Sequence, residues 1–564
     1  MENHPATAWE SIADAMPDAP AITHGDHETS WRAFDDRAAS LASALDAAGL
    51  QRDSKVAIYL YNCPEYLETL FASFKQRCVP ANVNYRYRDD ELAHLLTDSG
   101  AEALVYHRSL ADRVARVRPG LPDLRLIVEV DDTEATGPTV DGAVPFETVV
   151  STNPPARRIK RDEHDIVLIY TGGTTGMPKG VMLQLGPAVV ESLRSYSAAA
   201  GLPQVPIDEL ASVTAQACVD GRQLRTLVAP PLMHGTGQAG AFGTLLTGGN
   251  VVLLPGHGFR VSDVLETISK REPDVLIAVG DPFARPIVDA VESLRERSLG
   301  SVRIVFSAGA ILSAEVKTRL LDLMRDGGVI FDVLAASEAV MGVQLSVRGA
   351  DGPTGRFMPA PGVKVVSDDG RQVRPGSGER GMVAVPGAAT LGYLGDKAKT
   401  DQTYKTIDGT LYALPGDWAT VEADGSLTFL GRGSNCINTG GEKVFPEEVE
   451  QILKGHHAVH DALVFGVADE RLGQRIEAVV ECADPSIDAD ALIALVKQRV
   501  ASYKAPKRIT FVEKAPRFDN GKPDYATAQQ LAGQDFAETV STGEGSGADV
   551  RGDGHTLGRT PEGR

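Results

Sequence analysis

The sequence predicts an α/β protein: a large N-terminal domain of layered α/β sheets with a small β-rich subdomain, followed by a small α+β C-terminal domain. Three observations predict it. The chain has 564 residues, 43% of them hydrophobic, more than one hydrophobic core organises, so at least two domains are expected. Short apolar runs alternate with helix-periodic segments through the first half, the pattern of strands layered with helices. The texture then changes twice, past Gly362 and past Gly431.

From Trp31 to Leu50 the apolar positions Phe34, Leu41, Leu45 and Leu50 recur at helical spacing; Lys55 to Leu60 reads as a buried strand and Glu65 to Gln76 as a helix. Ala103 to Tyr106, Leu126 to Val130, Ile166 to Tyr170, Val251 to Leu254, Val275 to Val279 and Val302 to Phe306 read as strands. They alternate with helical patterns such as Ser262 to Lys270, which implies largely parallel sheets. Past Gly362, short strands are punctuated by Gly376, Gly378, Gly381, Pro386 and Gly392. The last unit reads as a helix at Pro446 to Lys454, strands at Asp461 to Val467 and Ile476 to Cys482, a helix at Asp488 to Arg499 and a strand at Arg508 to Val512. The expected division is residues 1–430, a hinge at 431–435, a C-terminal domain at 436–535 and a disordered tail at 536–564. From Gly543 that tail is too poor in apolar residues to offset the entropy of ordering, and its Arg551-Gly552-Asp553 reads as a chance match.

A formal net charge of -20 argues against nucleic acid or an anionic membrane surface as a bulk partner. Any anionic ligand must be met by local positive groups. The five cysteines, Cys63, Cys78, Cys218, Cys436 and Cys482, are odd in number and lack C-x-x-C spacing, which indicates neither a disulfide framework nor a zinc site. Met1 to Ala15 lacks the basic start and apolar stretch of a signal peptide, and no apolar run reaches membrane-spanning length. A cytoplasmic protein without integral membrane association is expected.

The strongest local signal is Tyr170-Thr171-Gly172-Gly173-Thr174-Thr175-Gly176-Met177-Pro178-Lys179-Gly180, leaving the strand at Ile166 to Tyr170. Glycines let successive backbone N–H groups converge on an anion, threonines add hydroxyl donors and Lys179 adds a charge, so the string reads as a polyphosphate cradle for a nucleoside triphosphate. It lacks the G-x-x-x-x-G-K-[ST] spacing of the P-loop. A flexible Gly/Thr loop is the bland alternative.

The string resembles the signature loop of the adenylate-forming superfamily, which contains acyl-CoA synthetases, luciferases and adenylation domains of peptide synthetases. The resemblance extends from about Trp31 to Tyr525, with the motifs in the family's order. It implies that Lys179 and Thr171 to Gly176 bind ATP. Ala335-Ala336-Ser337-Glu338 resembles the aromatic-Gly-x-Ser/Thr-Glu motif; carried over, Glu338 is a catalytic Mg²⁺ ligand with Thr171, Asp332 meets the adenine amino group, and Leu334, Ala335 and Ser337 line the nucleotide. Leu334 and Ala335 depart from the family's aromatic and glycine, replacing adenine stacking by apolar contact and narrowing the site. Alone, the string reads as a helix start capped by Ser337. Tyr412 to Asp417 resembles the Gly-Asp motif, which gives Asp417 the ribose hydroxyls, and Arg432 a further ribose or phosphate contact. Asn520-Gly521-Lys522 resembles the last motif, whose catalytic lysine bridges the substrate carboxylate and the α-phosphate; this is Lys522.

Gly440-Gly441-Glu442-Lys443 resembles the signature that opens the family's mobile C-terminal domain, which assigns Gly440, Gly441 and Lys443 to the coenzyme A path. Pro230 to Gly237 and Phe306 to Ala310 resemble the acyl-pocket segments: His234, Gly235, Gly237, Ala308 and Ala335 then face the acyl group, and Gly309 and Ala310 the nucleotide. A satisfied core histidine is the alternative for His234. The resemblance implies an acyl-CoA synthetase, similar to bacterial fatty-acid or sterol side-chain CoA ligases, using ATP, Mg²⁺, coenzyme A and a hydrophobic carboxylic acid. Its rivals are an adenylation enzyme that loads a carrier protein and a weakened nucleotide-binding homologue. The acid and the oligomeric state stay open, a homodimer being one option.

Overall fold

The computed structural model describes residues 2–132, 140–173, 176–294, 299–349, 355–367, 369–387, 389–439, 442–469, 471–482, 487–519 and 521–533. Thr174, Thr175, Gly440, Gly441, Asn520 and the tail 536–564 therefore lie outside the described residues. The chain divides into two units. The larger runs to Cys436 and includes Arg517–Pro523; the smaller comprises Ile437–Pro516 and the described residues from Asp524.

The elements that carry the site are β1 (Ile166–Gly173), β2 (Gly176–Gln184), α1 (Leu185–Ala200), α2 (Gly235–Leu246), β3 (Ile304–Ala308), α3 (Ala314–Leu323), β4 (Val329–Ala336), β5 (Ala339–Val347), β6 (Arg356–Pro359), β7 (Thr390–Tyr393), β8 (Asp417–Val421) and β9 (Leu427–Arg432). One sheet runs β7, β2, β1, then Val79–Asn82, Lys55–Tyr59, Ala101–His107, Leu126–Val130 and Ala143–Pro145. Its pairs are parallel except for β1 with β2 and β2 with β7. The second sheet has a parallel run of Pro20–His24, Asn250–Leu253, Arg225–Val228, Val275–Ala278, β3 and β4. It continues antiparallel through β5, β6, β9 and β8. The Gly- and Pro-punctuated stretch is thus the antiparallel extension of an α/β sheet.

Val275–Ala278 is buried at every position, as a parallel strand covered on both faces must be, which is why these strands read as unbroken apolar runs. Several element ends differ from the sequence reading. The strand expected at Val302 to Phe306 runs from Ile304 to Ala308, and the one expected to end at Tyr170 continues to Gly173. An N-terminal helix, Pro5–Ala15, was not anticipated; its Trp9 is fully buried and meets the Phe71 ring edge-on at 5.1 Å. The smaller unit forms one sheet from Ile437–Thr439, Glu442–Val444, Val459–Asp469, Gly473–Cys482 and Arg508–Val512, with Pro446–Lys454 and Ala489–Arg499 among its helices. Val449, Leu453, Val464, Val480 and Val496 build its core. Among the described residues no helix is long and apolar enough to cross a membrane.

Buried charges fix the approach to β1. Arg77 grips Asp165, the residue before β1, through two hydrogen bonds of 2.7 Å. Nearby, Glu10 of the N-terminal helix accepts from Lys75 at 2.8 Å and from both Arg161 amino groups at 2.8 Å. Burial alone would raise the Glu10 carboxyl, but Arg161 and Lys75 outweigh it and hold it below its ordinary value. Glu10→Ala would leave the buried Arg161 without its carboxylate and Lys75 with Asp35 alone, an expected loss of about 3 kcal/mol in chemical unfolding. Because the folded-state value is depressed, this stability is fully present above the ordinary carboxylate range and is lost as pH falls through the folded value. The wild-type and Glu10→Ala unfolding midpoints should converge in acid.

Candidate active site

The described residues of the glycine- and threonine-rich string pair across a β-hairpin. Tyr170 pairs with Gly180, Thr171 with Lys179 and Gly173 with Gly176. The sequence reading placed a loop directly after Tyr170; cross-strand pairing to β2 instead carries extended backbone to Gly173. Gly180 is required here, because a Cβ would lie 2.9 Å from the Tyr170 ring. That ring is held in turn by a 2.7 Å hydrogen bond from its hydroxyl to Asp98. The Tyr170 N–H donates to Asn82 Oδ1 at 2.7 Å, and Asn82 Nδ2 donates to the carbonyls of Tyr170 and Met233. Asn62 clasps the same loop, donating to Pro230 O at 3.0 Å and accepting from Leu232 N at 2.7 Å. Asn82 therefore ties the base of the hairpin to the loop ending at His234, and Asn62 holds the same loop.

Glu338 occupies the turn between β4 and β5, where Ala336 pairs with Ala339. Ser337 thus caps no helix; the segment closes a hairpin. The Glu338 carboxylate accepts a short hydrogen bond from the Tyr393 hydroxyl, and its backbone carbonyl accepts from Thr390 Oγ1 at 2.9 Å. Burial, followed by the Glu338 charge, raises the Tyr393 phenol, so it stays a donor. Both residues sit on β7, which pairs with β2. Three residues beyond Tyr393, Asp396 Oδ2 meets Lys179 Nζ at 2.6 Å. One short segment therefore holds both Glu338 and Lys179, and the sequence reading missed it. Gly392, punctuation in the sequence, takes a φ of +126° where a Cβ would lie 2.5 Å from Thr400, so only glycine fits at this point of the segment.

Asp332 is engaged by a buried cation. Its carboxylate lies 2.8 Å from Lys317 Nζ on α3, and that ammonium also donates to Gln344 Oε1 at 2.6 Å. Asp332 thereby points to the α3 side of β4, opposite the face that carries Val333 and Ala335. Leu334 is buried with Met341 and Phe357 in the core of the β-rich subdomain.

Asp417 and Arg432 pair across β8 and β9, with Nε 3.3 Å from Oδ1. Asp417 is 2% exposed, and its Oδ2 has no hydrogen-bond partner among the described residues. Burial raises its carboxyl, opposed by Arg432. A buried acceptor left open is costly unless a ligand donor meets it.

The loop that carries Lys522 turns back on itself. Phe518 N donates to Lys522 O at 2.9 Å and Gly521 N to Phe518 O at 2.8 Å. Gly521 takes a φ of +79° where a Cβ would lie 3.1 Å from Val279. Arg86 anchors the loop through Asp519 at 2.6 Å. Lys522 keeps an exposed side-chain surface yet is surrounded by protein, the situation of a group in a cleft. Its ammonium pKa is lowered, first by desolvation and then by Arg432, while Glu338 opposes the shift. His234 is lowered to about 3 by burial, then Lys522, then Arg86, so it is a neutral imidazole at physiological pH. These couplings gather Lys522, Glu338, Arg432, Asp417 and His234 into one neighbourhood.

His234 precedes α2, and the glycines of that helix behave differently along it. A Cβ at Gly235 would meet no described atom within 4 Å, whereas Gly237 would strike the Pro231 carbonyl at 2.4 Å, Gly240 the Ile277 side chain at 2.7 Å and Gly243 the Tyr196 ring at 2.4 Å. Only the first turn borders open space. Gly309 takes a φ of +93° between Ala308 and Ala310, and Thr236 Oγ1 donates to Ala308 O at 3.4 Å. Lys443 lies in the smaller unit, opposite Asn438.

A family model described as AMP-binding enzyme matches residues 9–394, and one described as AMP-binding enzyme C-terminal domain matches residues 448–522. The chain is 36% identical over 558 residues to a 3-oxocholest-4-en-26-oate–CoA ligase of Rhodococcus rhodochrous, covering 96% of this chain and 98% of that one. It is 38% identical over 540 residues to a medium/long-chain-fatty-acid–CoA/3-oxocholest-4-en-26-oate–CoA ligase of Mycobacterium tuberculosis, with 95% and 97% covered. The crystal structure of an anthranilate CoA ligase in complex with anthranoyl-AMP superposes with a TM-score of 0.78 at 23% identity, over 96% of this chain and 98% of that one, and so shares its fold.

The Asp332–Lys317 pair generates a direct test. Lys317→Met should destabilise the protein by about 3–5 kcal/mol at neutral pH by stranding a buried carboxylate. Burial already raises Asp332, so the folded state binds a proton more readily than the unfolded state, and the lost stability should be regained as pH falls towards the ordinary carboxylate range. Urea midpoints measured across that range check both the size and the sign.

Proposed function

The chain belongs to the AMP-binding enzyme family, and on that premise we propose that it is an AMP-forming acyl-CoA synthetase acting on a hydrophobic carboxylic acid. The observation that carries the reading is the neighbourhood that the loop-borne Lys522 shares with Arg432, Glu338 and the unsatisfied buried carboxylate of Asp417, with Glu338 bonded through Tyr393 to the strand that pairs with the glycine-rich hairpin. The relatives named above are CoA ligases for medium- and long-chain fatty acids and for a sterol-derived acid. That favours a fatty or sterol side-chain acid here, in a cytoplasmic setting.

In the first half-reaction the acid's carboxylate attacks the α-phosphorus of ATP; the acyl-adenylate forms and pyrophosphate leaves. Asp417 Oδ2 accepts from the ribose hydroxyls, which supplies the donor its burial requires. Arg432 adds a guanidinium contact to the same sugar or its phosphate. Lys179 exchanges Asp396 for the polyphosphate. Lys522 stabilises the charge that develops at the α-phosphoryl centre, and the desolvation that lowers its pKa also strengthens its attraction to that charge. His234, uncharged, bounds the acid without competing for its negative charge. In the second half-reaction the thiol of coenzyme A attacks the acyl carbonyl and AMP leaves. We assign the pantetheine path to Gly440, Gly441 and Lys443, and a hinge to residues 431–435, just before the boundary between units.

Among the described residues no group of three or more His, Cys, Asp or Glu side chains could hold a metal ion. One carboxylate, Glu338, fixed by Tyr393, with the Thr171 hydroxyl, fits Mg²⁺, which binds through one or two carboxylates together with substrate phosphates and water. Bound there, the ion would neutralise triphosphate charge.

Pyrophosphate release over a panel of acids, with coenzyme A or with a carrier protein as acceptor, tests the assignment. Release that depends on a hydrophobic acid and ends in a coenzyme A thioester is expected; transfer to a carrier protein alone would overturn it. Lys522→Ala should slow adenylate formation about a hundredfold or more and spare thioester formation from supplied acyl-adenylate. Equal loss of both half-reactions would remove Lys522 from its role. Tyr393→Phe should raise the Mg²⁺ concentration needed for half-maximal adenylation by freeing Glu338, with little change in unfolding midpoint. An unchanged Mg²⁺ titration would show that the hydroxyl does not position the carboxylate.

A further inference from the structure

The reaction centre opens onto an apolar sheet face that runs out to solvent. On β4, Ala335, Val333, Phe331 and Val329 point to one side, and their partners on β5 are Val340, Val343, Leu345 and Val347. Met358 of β6 pairs with Val343 and shares that side, and Phe306 and Ala308 of β3 pair with Phe331 and Val333. The face starts beside Glu338, at Ala335 and Ala308, and runs along β4 from Ala335 to Val329, roughly 20 Å at strand rise. Its outer part is uncovered: Val343 is 36% exposed, Leu345 59%, Val347 41% and Met358 56%. A contiguous run of this kind marks a binding surface far more often than isolated exposed side chains do.

The inner side is closed. Tyr196 of α1 stacks on Phe306 at 5.2 Å, and Phe306 on Phe331 at 5.0 Å. Behind this row the Tyr196 ring and Ile277 fill the space at Gly243 and Gly240 of α2. An acyl chain that starts at Ala308 and Ala335 meets an aromatic wall inwards and an open apolar strand surface outwards.

We propose, resting on the acyl-CoA synthetase reading, that the tail of the acid lies along the β4–β6 face, with the Tyr196–Phe306–Phe331 row as its inner wall and Leu345 and Met358 under its distal half. The substrate class is thereby an acid with a long aliphatic or fused-ring tail that stays partly at the surface, and length is selected by contact along a strand rather than by the depth of a closed pocket. The occupant is substrate, since the face is continuous with the residues at the reaction centre. Each methylene laid on it should raise kcat/KM by a few-fold at most, with full burial worth about fourfold.

The test is the ratio of kcat/KM for dodecanoate to that for butanoate in pyrophosphate release, for the wild type, Leu345→Glu, Met358→Glu and a remote control, Val219→Glu, whose residue is 82% exposed on another helix. The wild type should favour dodecanoate. Leu345→Glu and Met358→Glu should each lower the ratio at least tenfold, and Val219→Glu should leave it where it was. An unchanged ratio in both strand variants overturns the proposal. So does a change of sedimentation coefficient in Leu345→Glu with the ratio intact, which would assign the face to a second copy of the chain. If butanoate is activated but dodecanoate is never preferred, the tail site fails and the synthetase reading stands; if no acid releases pyrophosphate, the synthetase reading itself fails.

Discussion

The site draws on two sheets with no strand pairing between them among the described residues, so much in it depends on how their edges are held. Asn82 supplies that constraint. It lies at the end of a strand of the first sheet, and its buried amide bonds both the hairpin base at Tyr170 and the Met233 carbonyl, on the loop that leaves the second sheet. A hydrogen-bonding group buried at a junction is expensive to leave unmatched, so the three bonds of Asn82 specify one spacing. Asn62 repeats the device on the same loop. The glycine-rich hairpin of one sheet and the loop that ends at His234 are held at one spacing by Asn82, with Asn62 securing that loop.

Charge is arranged on the same economy. The protein as a whole carries -20, yet the cleft collects Lys179, Arg432, Lys522 and Arg86, each set against a carboxylate of the chain. Lys179 with Asp396 and Arg86 with Asp519 are half-exposed pairs, worth little to folding and easily exchanged for a ligand's anionic groups. Asp332 with Lys317 is the opposite case, deeply buried and therefore structural. Local pairing of this kind lets an acidic protein bind a polyanion without a basic surface.

Much of the fold was legible, because parallel strands covered on both faces are forced to be apolar runs, and such runs are short, dense and bounded by turns. Leu126–Val130 and Arg508–Val512 fall where the sequence placed them. The hairpin ends were not legible: Gly172 and Gly173 have no side-chain pattern to betray a strand, and their pairing is decided by the facing strand. The support behind the site was also hidden. Lys179 and Asp396 are 217 residues apart, and Glu338 and Tyr393 are 55 apart, distances at which no local spacing carries information. The helix at Pro5–Ala15 is less legible for another reason: its buried face, Ala6, Ala8, Trp9, Ile12 and Ala13, is mostly alanine and interrupted by the buried Glu10, which weakens the apolar pattern.

The close packing of α2 constrains how this enzyme could drift or be redesigned. Gly237, Gly240 and Gly243 each touch a neighbour where a methyl group would stand, so any side chain introduced there must displace backbone or an aromatic ring, a costly overpacking. Positions such as Leu345 and Met358 are free to change at little cost to the fold. Variation that reaches the acyl site through the helix is filtered out by folding, while variation on the strands passes. New substrate preferences should therefore accumulate along an outer sheet face, where a library can be diverse and its members still soluble, and the helix that opens the site should stay a nearly invariant spine.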